Sequence, residues 1–138
     1  MTTERLIETI SFKNGLELEI YDMSRPLAGD RWLVQLEARI EVDLEAEAFD
    51  GLEDQDRIVS VLRGIYGSRI PYCYIQKKHF VDKNKKEEVL QQFIKNIKES
   101  QVPYLGHPEF SRRFLLSRYR ELKKKKPWLF SEEAQNPE

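Results

Sequence analysis

The sequence predicts an α+β domain: a mostly antiparallel sheet, built as a β-meander plus a fourth strand, with helices packed on one face. The expected order is β-β-β-α-β-α-α. Three observations carry the prediction. Asn14-Gly15 separates two alternating segments, residues 31–44 alternate without a break, and past position 50 the apolar spacing changes from two residues to a helical rhythm.

The first hairpin is read from TISFKNGLELEIYD. Leu16, Leu18 and Ile20 share one face, Glu17 and Glu19 the other, and both turn residues tolerate the positive φ of a type I′ turn. MSRPLAGD follows as a loop, punctuated by Pro26 and Gly29. In RWLVQLEARIEVDL, Trp32, Val34, Leu36, Ala38, Ile40, Val42 and Leu44 alternate with a mostly polar row, as a strand buried on one face requires. Ile58, Val59, Leu62, Ile65 and Tyr66 then fall on a helical stripe closed by Gly64 or Gly67. IPYCYIQKKHFVD, rich in aromatic and β-branched residues, reads as the fourth strand. Asn84 and Glu87 have capping-box spacing ahead of a helix with the stripe Val89, Leu90, Phe93, Ile94 and Ile97. A loop over 101–110 leads to a last helix carrying Phe110, Phe114, Leu115, Tyr119 and Leu122, which Pro127 ends.

Residues 1–130 are expected to form a single domain, and 131–138 a polar, disordered tail. The length of 138 residues suits one core. A lone cysteine, Cys73, allows no intramolecular disulfide and fits a reducing compartment. Glu4, Arg5 and Glu8 interrupt any signal-peptide core, and no apolar run nears the ~20 residues that span a bilayer. A cytoplasmic protein without a membrane partner is expected. Residues 9–126, through ISFKNGLELEIYDMSRP and RWLVQLEARIEV, resemble the small uncharacterised single-domain families of bacterial genomes. That resemblance implies no activity.

The chemistry-bearing motifs are missing. Cys73 and His79, six strand residues apart, stand ~20 Å from each other, beyond the reach of a nucleophile and its base. His107 could meet Cys73 only through the fold. Two histidines and one cysteine match no zinc spacing, DGLEDQD lacks the terminal Glu of a calcium loop, and no glycine-rich phosphate loop, GxSxG or HExxH occurs. No catalytic, cofactor or metal residue is therefore expected, and a small enzyme with a pocket near Cys73 is the weakest of three readings.

Charge offers more. Net charge is −1, yet residues 1–69 hold 15 acidic and 8 basic residues, and residues 70–138 hold 9 and 15. Lys77 and Lys78 end the fourth strand, and Lys83, Lys85 and Lys86 open the next helix. Arg112, Arg113, Arg120, Lys123, Lys124, Lys125 and Lys126 line or end the last one. Together they are candidates for binding a polyanion such as nucleic acid. Cations in a last helical turn are, however, favourable by ~0.3–1 kcal/mol each with no partner present. A sequence pI near 6.2 and the absence of any recognition motif also weigh against nucleic acid. Trp128, Leu129 and Phe130, bulky and apolar past the helix stop, either fold back or dock on another chain, a homodimer being the natural case. The preferred expectation is a non-enzymatic binding or assembly domain acting through protein–protein contacts.

Overall fold

Residues 12–16 close the first hairpin with a three-residue turn. The computed structural model describes residues 4–131. In it β1 (Arg5–Ser11) pairs antiparallel with β2 (Glu17–Asp22). Phe12 N bonds Leu16 O at 2.9 Å and Gly15 N bonds Phe12 O at 3.1 Å. Of the two turn residues only Gly15 has positive φ, +90°. This is a type I turn followed by a left-handed glycine, not the expected type I′, which needs positive φ twice. The reason lies in Asn14: its Oδ1 accepts from Leu16 N, and its Nδ2 donates to the carbonyls of Leu105 and His107 at 2.9 and 3.0 Å.

The sheet holds five strands, adding β3 (Arg25–Ala28), β4 (Arg31–Asp43) and β5 (Arg69–Asp82). β4 has three partners but only two edges. In the pairs Ile20↔Ala38, Asp22↔Leu36 and Pro26↔Trp32 the residue numbers add to one constant, so β3 continues the β2 ladder along the same edge of β4. Met23 N bonds Gln35 O, Gln35 N bonds Ser24 Oγ, and Asp22 Oδ1 accepts from Ser24 N, which bridges the break. A strand thus forms where a loop was expected. β5 takes the other edge of β4, and the result is the predicted antiparallel meander with a further strand.

The chain gathers into two compact units, one comprising residues up to Glu41 with Pro71–His107, the other Val42–Ile70 with the chain from Pro108 on. In the first, α2 (Lys86–Ser100) and the single turn α3 (Val102–Leu105) follow the strands. Its core is Leu18, Ile20, Val34, Leu36, Ala38 and Ile40 from the sheet with Leu90, Ile94, Ile97 and Leu105 from the helices. Each such Leu or Ile contributes about 1.5–3 kcal/mol by leaving water. The capping box read at Asn84 does not form: Asp82 Oδ1 accepts from Asn84 N at the head of a 3-10 turn (Lys83–Lys85), and α2 starts only after it.

In the second unit a 3-10 turn (Ala46–Phe49), α1 (Gln55–Tyr66) and α4 (Phe110–Lys125) bury Phe49, Ile58, Val59, Leu62, Phe110, Phe114 and Leu115. Ile65, expected on the buried stripe, is 49% exposed. Pro127 stops α4 as predicted and opens a last 3-10 turn (Pro127–Phe130). Apart from Ser131, the expected tail lies outside the described residues.

Candidate functional site

β5 is 14 residues long, and among the described residues only β4 pairs with it. No strand among the described residues takes its outer edge. Near the start of the strand, as its third residue, stands Pro71, which has no amide to donate and is tolerated on such an edge. After Pro71 the next charges come at Lys77 and Lys78, leaving residues 72–76, YCYIQ, uncharged between them. Ile75 is 50% and Phe80 69% exposed. Phe80 also holds φ +57°, a left-handed conformation costly to a bulky side chain. Proline, lysine and a local break are the devices by which edge strands are blunted. Here they stand at the two ends of the strip and spare its middle.

On the sheet face away from the core, Cys73 joins a charged cluster. Its thiol donates to Glu37 Oε1 at 3.2 Å. Arg39 donates to the same carboxylate at 3.0 Å and to Glu4 at 2.8 Å, and its guanidinium lies 4.3 Å from the centroid of the Tyr21 ring. Partial burial, then the hydrogen bond to Glu37 and its charge, push the Cys73 thiol up to about 11. Desolvation raises Glu37, but the hydrogen bonds from Arg39 and Cys73 outweigh it and hold its carboxyl below the ordinary range. Bonds to Glu4 and Glu37 raise the Arg39 value against desolvation. Tyr21, Glu37, Arg39 and Cys73 line a hollow of about 360 Å³ with Glu19, Ile40, Glu41, Pro71 and Tyr72. His107 does not line it; its carbonyl is held by Asn14. A thiol so firmly protonated is a poor nucleophile at neutral pH. Sequence reading placed Glu37 and Arg39 on a solvated row and missed the cluster, because alternation reports a side chain's face and not its cross-strand neighbours.

The basic candidates fall in both units. In the first, Lys77 and Lys78 are exposed on β5, Lys83 and Lys85 are exposed in the 3-10 turn, and Lys86 is half-buried with its ammonium over the Trp32 ring. In the second, Arg112, Arg113, Arg120, Lys124, Lys125 and Lys126 are exposed, with no ion pair among the described residues, and Lys123 sits 5.7 Å from the Tyr119 ring centroid. The docking candidates divide. Phe130 folds back, its ring edge-on to Tyr119 at 5.1 Å, and Leu129 is half-buried, while Trp128 stays 58% exposed. Among the described residues no group of three or more metal-ligating side chains occurs, and no helix is long and apolar enough to cross a membrane.

No protein-family model, curated protein or solved structure matches this chain.

Proposed function

We propose that the protein is an assembly domain that pairs with a second copy of itself through the outer edge of β5, acting by contact and not by chemistry. The carrying observation is the uncharged strip 72–76 on a strand that, among the described residues, pairs with β4 alone, with blunting residues to either side of the strip. Antiparallel pairing about a two-fold axis at Tyr74 brings Lys77 opposite Pro71 and Lys78 opposite Ile70 of the second copy. No lysine then faces a lysine, so this register avoids the like-charge cost that would oppose others. Backbone hydrogen bonds supply the affinity, and the aromatic side chains supply packing across the seam.

Sedimentation equilibrium tests the proposal. Wild type should show a monomer–dimer equilibrium below ~0.2 mM, a range suited to a small contact. Tyr74→Lys, which sets lysine against lysine at the two-fold axis of this register, should remain folded and monomeric. A wild type that stays monomeric at that concentration, or a Tyr74→Lys protein that dimerises equally well, contradicts it.

A second reading, polyanion binding, is favoured by one observation. Arg113, Arg120 and Lys124 are spaced to share an exposed stripe of α4 with Ser117, and none has an ion pair among the described residues. Heparin retention that falls steeply with salt, and more steeply for wild type than for Arg120→Glu, supports this reading. Flow-through at low salt removes it.

A further inference from the structure

We propose that the first unit also carries a binding site for a small aromatic monocarboxylate, in the hollow between the start of α2 and the break separating β2 from β3. The hollow measures about 350 Å³, within the range of small-molecule sites. Its wall is Trp32, the one member of the inward row of β4 that is not buried; Val34, Leu36, Ala38 and Ile40 all are. Leu90, 3% exposed, adds an apolar surface.

Three groups in the hollow keep N–H or O–H protons to give. Asp22 has spent one oxygen on Ser24 N at 2.9 Å and the other on Arg5 at 3.1 Å. Ser24 Oγ already accepts from Gln35 N, so its proton remains to be given. Arg5 uses one terminal nitrogen and keeps further N–H groups. Lys86 Nζ lies 3.7 Å above the Trp32 ring centroid and makes no ion pair among the described residues. Three donors with protons to give, beside an Asp22 whose two oxygens are both engaged, call for an acceptor-rich ligand. Glu87, on the rim, accepts from Gln91 and opposes a second negative charge, which favours a carboxylate over a doubly charged phosphate. A flat ring then stacks on the indole, and the flexible Lys86 ammonium swings from the ring face to the carboxylate.

The two tryptophans make the test self-controlled, since the indole N–H of Trp128 belongs to the other unit. In a nitrogen-15 NMR titration of the full chain, benzoate and indole-3-acetate should shift the Trp32 indole signal saturably below ~10 mM and leave that of Trp128 in place. Lys86→Ala and Arg5→Ala should each weaken binding about tenfold, the loss of one charged hydrogen bond. Cyclohexanecarboxylate, which cannot stack, should bind several-fold more weakly. The proposal is overturned if neither probe saturates Trp32, if both indoles move alike, if cyclohexanecarboxylate binds equally well, or if both alanine variants bind as wild type does. It stands or falls independently of pairing through β5.

Discussion

Cys73 and Glu37 pull each other's protons in opposite directions. A thiol held up at about 11 binds its proton more tightly folded than unfolded, where 9.0 is ordinary. Its stabilising contribution is therefore complete below pH 9 and lost as pH climbs through 11. Glu37, lowered from 4.5, behaves conversely: its contribution is present above that pH and lost as the solution is acidified through the lowered value. The alkaline fall in the urea midpoint should accordingly be shallower in Cys73→Ala than in wild type; parallel curves would show that the thiol is not coupled to folding. Iodoacetamide should label native Cys73 slowly at pH 8, and Glu37→Gln should speed it several-fold by removing the charge that opposes the thiolate. None of this could be read beforehand. The sequence placed Cys73 and Glu37 on their strands, but not beside each other across the sheet.

Among the elements, what could be read from the sequence follows from the range of the forces involved. The β4 alternation and the α1, α2 and α4 stripes are local periodicities, and each produced its strand or helix. The failures have distant or competing causes. Asn14 finds carbonyl partners 91 and 93 residues away, which replaces the expected turn by another. β3 forms because β4 continues past the β2 break and offers a ladder to residues with little strand propensity of their own. Asp82 caps its own 3-10 turn and so displaces the expected box. β5 was recognised as a strand, but its bend at Phe80 was not, since no glycine or asparagine marks it. Phe80→Asn should therefore stabilise the protein by about 0.5–1 kcal/mol, because asparagine enters the left-handed region more readily and the exposed ring gives up little burial. A higher urea midpoint would bear this out, and a lower one would mean that the ring packs in solution.

For the whole molecule, the charge asymmetry along the chain acquires a simple outcome. Residues up to Glu41 bring 8 acidic and 5 basic side chains to the first unit, and Pro71–His107 bring 4 and 7, so that unit is neutral. In the second unit Val42–Ile70 bring 7 acidic and 3 basic residues, against 2 acidic and 8 basic ones over 108–131. Each unit thus joins a piece of the acidic half to a piece of the basic half. Neutralisation within units explains the near-zero net charge without calling on a polyanion, although Arg112, Arg113, Arg120, Lys124 and Lys125 of α4 have no ion pair among the described residues. The outer β5 edge has no such internal answer among the described residues, and for that reason the functional account rests on it. Backbone amide exchange of β5, followed at two protein concentrations, tests that account most directly. If a second copy adds its strand there, alternate amides within residues 72–76 should gain protection as concentration rises, while those of β4 stay unchanged. Exchange of the strip that is fast and indifferent to concentration would contradict the account.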